Sequence, residues 1–356
     1  QDLKSTGNRA AHLVIAPSSL ADAARTLADY RTSNGLESQV VELPAIYDAF
    51  NWGIEDPVAI RSFLEYAYNH WSVTPEYVVL AGKGSVDQKD RMGMGGNLVP
   101  VLLTQTPFGL AATDSRYGDV EGDDGVPEIA VGRIPALTTD DLLDYIEKVI
   151  GYENGTSDGW HERVLMVADA VDPDAGDFPL DSDAIAARVT APYQVERAYT
   201  SVDGAVAVHD RLMEAFSDGS GLIDYIGHAG NRSVGRVPAF GEGHIAAVSN
   251  GSRLPLLSAM TCLLGRFDYP GRVSIAERLV LAEGGGAIAS YTATGLSLNG
   301  DAVKINAGLF EALHGEQQRV LGDAVRSAQR YYSAGPHQRF MQEMYGLFGD
   351  PATRLH

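Results

Sequence analysis

Cysteine is almost absent from this chain of 356 residues, in which Cys262 is the single example. One cysteine cannot form an internal disulfide, so the small disulfide-stapled scaffolds of secreted proteins are excluded. The cysteine content also gives no indication of the redox compartment. An unpaired thiol is commonly either a small buried hydrophobic group or a reactive nucleophile, and the residues around Cys262 bear on that choice.

Basic residues are also scarce. The chain has 27 Lys and Arg against 47 Asp and Glu, a formal net charge of −20. Nucleic acids are bound through clustered basic side chains that contact phosphates, so this balance argues against a nucleic-acid partner. No apolar run approaches the roughly 20 residues of a membrane-spanning helix, and we predict no membrane span. A hydrophobic content of 45% indicates a globular protein with a sizeable core.

The sequence begins at Gln1 rather than at methionine, and no charged segment followed by an apolar leader is visible. We therefore expect a mature or trimmed fragment, from which flanking domains or a propeptide are absent. The localisation is consequently inferred below from a resemblance and not from a targeting signal.

Strand and helix patterns alternate along the chain. The apolar run 12–16 predicts a buried strand, the amphipathic stretch 20–33 predicts a helix after it, and similar pairs of signals recur. Such alternation is typical of parallel βαβ units. Because the polar segment 154–159 has the composition of a linker, we predict an α/β protein with two adjacent subdomains, residues 1–155 and 156–356. Each is expected to contain a mainly parallel sheet flanked by helices.

Two predicted strands lead to residues with reactive side chains. The apolar run 254–257 leads to Cys262, and the run 222–226 leads to His228. Because sites in parallel α/β sheets form at the carboxyl ends of strands, we expect these two side chains to lie close together. An adjacent imidazole raises the reactive fraction of a thiol, so the pair predicts a nucleophile and its general base. The backbone N–H groups of Ala229 and Cys262 would then form an oxyanion hole.

An acidic stretch with several glycines covers residues 113–125. Calcium sites are built from oxygen ligands on short non-helical loops, so this stretch predicts a structural Ca²⁺ site. Its spacing differs from that of an EF-hand, and a solvated acidic turn is the alternative interpretation. The candidate ligands are Asp114, Asp119, Asp123 and Asp124.

Motifs for nucleotides and zinc are missing. The stretch 81–85 lacks the upstream glycine of the Walker pattern, and the glycines within 93–96 lack the Rossmann spacing. No pair of histidines is expected to share a helix face on which zinc could bind. We therefore expect no organic cofactor.

Five separated blocks resemble the gingipain-like cysteine peptidases, family C25. In chain order they are 79–85, 113–135, 227–230, 261–268 and 348–351. The resemblance extends over nearly the whole chain and implies a caspase-like α/β fold and thiol endopeptidase activity on a protein or peptide substrate. It also implies a secreted or cell-surface location.

Within that resemblance, Cys262 matches the family nucleophile, His228 its general base and Glu128 a third acid that would orient the imidazole. Structural Ca²⁺ in family members supports the calcium prediction for the acidic stretch. Two departures stand out. Ala229 occupies a position that is commonly glycine, and residues 292–295 lack the tryptophan expected beside a pocket for Arg or Lys.

The sequence is therefore compatible with more than one specificity and more than one function. Cleavage after basic residues is expected if an acid such as Asp141 or Asp268 lines the pocket. A transpeptidase or sortase-like protein processor would use the same acyl-enzyme. A non-catalytic, calcium-dependent surface scaffold would keep the fold without the chemistry.

Overall fold

The computed structural model describes residues 2–156 and 158–356. Within them the strands are, in chain order, β1 (His12–Ala16), β2 (Ser38–Glu42), β3 (Tyr77–Ala81), β4 (Leu102–Thr106), β5 (Gly109–Thr113), β6 (Ala130–Ile134), β7 (Arg163–Ala168), β8 (Gln194–Tyr199), β9 (Leu222–Ile226), β10 (Ser233–Val234), β11 (Phe240–Gly241), β12 (Leu256–Met260), β13 (Ala289–Ala293) and β14 (Tyr345–Phe348). The helices are α1 (Ala21–Ser33), α2 (Leu43–Asn51), α3 (Pro57–His70), α4 (Ser115–Gly118), α5 (Thr139–Asn154), α6 (Phe178–Ala186), α7 (Thr200–Asp218), α8 (Glu242–Ile245), α9 (Ile275–Val280), α10 (Asn299–Phe310), α11 (Leu321–Ser333) and α12 (Arg339–Met344).

A single ten-stranded sheet forms the centre of the molecule, in the order β2-β1-β3-β6-β14-β13-β12-β9-β7-β8. Within this sheet β1, β2, β3 and β6 pair in parallel, and so do β7, β8, β9, β12 and β13, as predicted. Strand β14 joins the halves, because it is parallel to β6 and antiparallel to β13. The strands of the first half therefore run opposite to those of the second half.

Local sequence signals explain the main helices. Asp56 caps α3 by accepting a hydrogen bond from the N–H of Val58, and Pro57 begins the helix without needing a donor. Helix α1 ends near Gly35, whose φ of 86° is easily adopted only by glycine. The predicted helix 20–33 thus agrees with α1 to within one residue.

The segment before β6 contains more regular structure than the sequence pattern suggests. This segment holds the hairpin β4–β5 and the short helix α4. Gly109 begins β5 with a φ of 118°, which a residue with a Cβ rarely adopts. Because both strands are short and partly exposed, they lack the apolar run by which buried strands are recognised.

One core cluster crosses both halves of the chain and includes Val79, Ile134, Met260, Tyr291 and Phe348. The α/β class predicted from the sequence is present, and the sheet is continuous between the halves. The subdomain boundary near residue 155 stays a prediction. None of the helices in the described ranges combines the length and hydrophobicity that a membrane crossing requires.

A buried ion pair supports this core close to β6. Arg133 is fully buried and donates two hydrogen bonds to Asp114, each 2.7 Å long. Its remaining nitrogen atom, Nη1, donates to the carbonyl oxygens of Gly82 and Val99, at 2.8 and 3.0 Å. Because every charged atom has a partner, the pair is tolerated in the interior, whereas loss of one member would leave an uncompensated charge.

Candidate active site

Cys262 and His228 lie at the same edge of the sheet. Strands β12 and β9 are neighbours, and Met260 pairs with Ile226 at their carboxyl ends. Each candidate residue follows two positions after a member of that pair. The structure therefore brings the predicted nucleophile and base to adjoining strand ends.

The turn that carries His228 requires glycine. A Cβ atom at Gly227 would lie 2.4 Å from the Cβ of Asp169 and 2.5 Å from the hydroxyl oxygen of Tyr225. Gly227 also has a φ of 157°, in a region that side chains with a Cβ rarely adopt. Only glycine therefore fits between Asp169 and Tyr225, and this close packing determines the path of the chain from β9 to His228.

The Cys262 sulfur contacts Ser297, which follows β13. Its Sγ atom accepts a hydrogen bond from the Ser297 N–H at 3.3 Å and lies 3.7 Å from the Ser297 carbonyl oxygen. Burial raises the pKa of the Cys262 thiol, and the Ser297 N–H lowers it in part. No hydrogen bond joins this sulfur to His228 in the described residues. In this structure the thiol is thus held by the backbone and not by the imidazole.

His228 is oriented by a carboxylate from a third strand end. Its Nε2 atom lies 3.0 Å from Oδ2 of Asp172, in the loop after β7. The ring of Phe178 packs edge-on against the imidazole, with ring centroids 5.2 Å apart. Nδ1 of His228 has no hydrogen-bond partner in the part of the chain that is described, so this nitrogen is available to a reacting group.

Asp172 is held in its ionised form. The N–H of Asp174 donates to Oδ1, while His228 and Arg236 both contact Oδ2. The Asp174 N–H, followed by His228 and then Arg236, lowers the pKa of Asp172. A carboxylate in this position fixes the imidazole tautomer and favours its protonated form.

Glu128 does not take part in this arrangement. Its carboxylate accepts hydrogen bonds from the N–H groups of Val120 and Glu121, at 3.0 and 2.9 Å. Glu128 precedes β6, and three strands separate β6 from β9, a distance of about 19 Å at the usual strand spacing. The structure therefore corrects the assignment of Glu128 as third acid, because Asp172 makes the contact with His228 instead.

The two predicted oxyanion-hole donors remain free. Neither the N–H of Ala229 nor that of Cys262 donates to an acceptor within residues 2–156 and 158–356. Ala229 does not have a positive φ, so alanine introduces no backbone strain there. Leu263, directly after Cys262, does have a φ of 58°, a conformation that costs a residue with a Cβ about 1 kcal/mol.

The acidic stretch before β6 is neutralised in part by arginine. Asp114 forms the buried pair with Arg133 described above, and Asp123 lies 2.8 Å from the Arg339 guanidinium. Carboxylates that are already paired with a guanidinium have little capacity left for a cation. Two of the four candidate calcium ligands are therefore engaged.

The other two candidate ligands accept backbone hydrogen bonds. Oδ2 of Asp119 accepts from the Gly125 N–H at 3.0 Å, and Oδ1 of Asp124 accepts from the Val126 N–H at 2.9 Å. Oδ1 of Asp119 is buried without a partner. No group of three or more His, Cys, Asp or Glu in the described ranges is arranged to hold a metal ion. The four carboxylates therefore do not fit a calcium site as a set.

The model of peptidase family C25 matches residues 5–356. The chain belongs to peptidase family C25. Gingipain R2 of Porphyromonas gingivalis is 26% identical over 265 residues, which are 72% of this chain and 32% of the relative. Lys-gingipain of the same species is 27% identical over 219 residues, 60% of this chain and 12% of the relative. The chain thus spans about a third of the length of Gingipain R2.

A solved structure of the Arg-specific cysteine proteinase gingipain R has the same fold. It superposes with a TM-score of 0.82 at 22% identity and covers 99% of this chain and 79% of the other. A complex of the pro- and mature domains of RgpB from Porphyromonas gingivalis also matches, with a TM-score of 0.82. The fold class predicted from the sequence is confirmed.

Asp172, which contacts His228, is a candidate site residue that no local sequence pattern predicts. It lies among many aspartates between β7 and α6, where no spacing distinguishes one carboxylate from another. Only the position of Asp172 in the fold indicates its role, since it follows β7, which is adjacent to β9 and ends at the same edge of the sheet. Listing the acids that follow each strand parallel to β9 would have included Asp172.

Proposed function

We propose that the protein is a cysteine endopeptidase in which Cys262 is the nucleophile, His228 the general base and Asp172 the residue that orients the base. One observation carries this proposal. The three side chains follow β12, β9 and β7, which are consecutive neighbours in the sheet. The names of the gingipain relatives, one of them an Arg-specific cysteine proteinase, support the same chemistry.

The proposed reaction begins with proton transfer from the Cys262 thiol to Nδ1 of His228. A rotation about the Cα–Cβ bond of Cys262 moves the sulfur from Ser297 toward the imidazole. The thiolate then forms a bond to the carbonyl carbon of the substrate, and the carbonyl electron pair moves onto oxygen. The N–H groups of Ala229 and Cys262 donate to this oxyanion.

The remaining steps return the protein to its starting state. The C–N bond breaks as the protonated Nδ1 of His228 gives its proton to the leaving amine, and a thioester on Cys262 remains. Water, deprotonated by His228, attacks the thioester carbon. The acid product leaves, and the thiol takes back its proton. Throughout, the Asp172 carboxylate compensates the charge on the imidazole.

We further propose that the substrate is cleaved after a basic residue. Asp181 supports this specificity, because its Oδ2 atom accepts only from the neutral side chain of Asn299, at 2.7 Å, and no Lys or Arg pairs with it in the described ranges. Asn299 follows Ser297, whose N–H contacts the sulfur. A carboxylate without a counter-charge near the nucleophile would attract a substrate cation.

Asp181 fits this role better than the two acids considered from the sequence. Asp141 caps α5 by accepting from the backbone N–H groups of Leu137 and Thr138. Asp268 is buried with Arg266 3.9 Å away. Asp141 is therefore engaged as a helix cap, whereas Asp268 is buried and its Oδ1 atom has no hydrogen-bond partner in the described ranges.

A peptide library incubated with the wild-type chain and with Cys262→Ala tests the proposal. We expect cleavage after Arg or Lys by the wild type only, and Asp181→Asn should lose the basic preference before it loses all activity. Unchanged cleavage by Cys262→Ala would refute the nucleophile. An added amine that is ligated to the new carboxyl end would instead indicate a transpeptidase, and a folded chain without any thiol reactivity would indicate a scaffold. A secreted or cell-surface location also remains part of the proposal.

A further inference from the structure

Arg236 shares an acceptor atom with the candidate base. Its Nη1 atom lies 2.8 Å from Oδ2 of Asp172, the same oxygen that Nε2 of His228 contacts at 3.0 Å. The two cationic donors are therefore no more than about 6 Å apart. The Arg236 side chain is 71% exposed, so its position is not explained by packing.

The backbone of Arg236 is anchored separately from its side chain. Its N–H donates to Oδ2 of Asp169 at 2.7 Å, and Gly235 donates to the His228 carbonyl oxygen at 2.8 Å. The hairpin β10–β11 encloses this turn. Replacing the guanidinium should therefore leave the hairpin in place.

We propose that Arg236 is a positioning residue that weakens the hold of Asp172 on the protonated imidazole and thereby sets the acidic limit of activity, below which the base is protonated. This inference rests on the proposed function, in which His228 exchanges a proton with Cys262. A carboxylate that serves two cations stabilises each of them less than it would stabilise one alone. A fixed positive charge close to the imidazole also disfavours its protonated form directly.

The size of the effect follows from distance and exposure. At about 6 Å with nearly aqueous screening, one unit charge shifts a titration midpoint by about half a pH unit. Because the guanidinium is largely solvated, the shift should shrink as salt screens the charge. A purely structural role of Arg236 would not produce this dependence on ionic strength.

The other groups that face His228 stay the same when Arg236 is replaced. Asp169 directly follows β7, and its carboxylate accepts hydrogen bonds from the backbone N–H groups of Ala170 and Arg236. Tyr225 donates its hydroxyl to the His228 carbonyl oxygen, and Cys262 lies at the adjoining strand end. Phe178 adds an uncharged ring. The change in charge is thus confined to one guanidinium.

Three variants test the inference through the pH dependence of kcat/KM at low salt. Arg236→Gln keeps a donor for Asp172 but removes the charge, and the acidic limb of its pH profile should move up by about half a pH unit. Arg236→Lys keeps the charge and should restore the wild-type limb. Arg232→Gln is the matched control, because Arg232 directly precedes β10 but contacts Glu242.

An acidic limb that does not move in Arg236→Gln, or that moves equally in Arg236→Lys or Arg232→Gln, would overturn the inference. NMR titration of the His228 ring nitrogens, assigned with His228→Gln, reports the same shift without catalysis. If the wild-type chain cleaves no peptide, the proposed function fails while this titration still decides the role of Arg236. A shift of the His228 midpoint in Arg236→Gln that vanishes at high salt would support it.

Discussion

Replacing Asp172 with asparagine removes the charge beside His228 but keeps the shape of the side chain and its contact with Nε2. The expected loss follows from the position of the pair. The side chains of His228 and Asp172 are 37% and 12% exposed, between a solvated and a buried contact. Loss of the attraction between two unit charges about 4 Å apart would lower the rate about 5-fold if the pair were screened as in water. The loss would be about 1000-fold with the weaker screening typical near a protein surface. We therefore expect kcat/KM to fall about 100-fold.

Glu128→Gln is the matched control for this experiment. In the described ranges the Glu128 carboxylate contacts only the backbone N–H groups of Val120 and Glu121, and the strand that follows it, β6, lies about 19 Å along the sheet from β9. Initial rates on a fluorogenic peptide with basic P1 should change less than about 2-fold in this variant, provided that both variants unfold at temperatures close to that of the wild type. The reasoning is refuted if Glu128→Gln loses about 100-fold while Asp172→Asn retains its activity.

Three further predictions concern stability. Arg133→Met leaves Asp114 charged and buried, so urea unfolding should show a loss of about 3–5 kcal/mol, and adding Asp114→Asn should recover part of it; a loss below about 1 kcal/mol would contradict the buried pair. Burial alone would raise the pKa of Asp350, but the contacts with Arg31 and then His12 hold this pKa well below its usual range. The ionised Asp350 carboxylate therefore contributes its full stabilisation at pH values above the pKa that this group has in the unfolded chain, and the stabilisation is lost as the pH falls through about 4 and below. In acid, Tm should fall more steeply for the wild type than for Asp350→Asn, and parallel curves of Tm against pH would contradict this. Because the acidic stretch is occupied by arginines and backbone donors, Ca²⁺ added after chelation should leave Tm unchanged, and a saturable rise that Asp119→Asn abolishes would restore the calcium prediction.

The positions of the candidate nucleophile Cys262 and the candidate base His228 could be predicted because each follows an apolar run that ends in a turn. That pattern is local, and it survives in the structure as β12 before Cys262 and β9 before His228. The parallel pairing that brings them together follows from the alternation of strands and helices. The resemblance added the family but misplaced the third acid at Glu128.

The order of the strands was not accessible from these local patterns. β14 is a short strand near the end of the chain, and its insertion between β6 and β13 reverses the direction of one half relative to the other. This insertion places Glu128 laterally distant from His228. Contacts such as that of Asp172 with His228 depend on which strands become neighbours, and no single segment of sequence encodes this information.

Covalent trapping tests the central claim most directly. A peptidyl acyloxymethyl ketone with basic P1 should modify the wild-type chain once, and peptide mass spectrometry should locate the adduct on Cys262. In His228→Ala the rate of modification should fall at least about 100-fold while the protein remains folded. Modification of Cys262 at an equal rate in both proteins, or no adduct in the folded wild type, would contradict the proposed nucleophile and base.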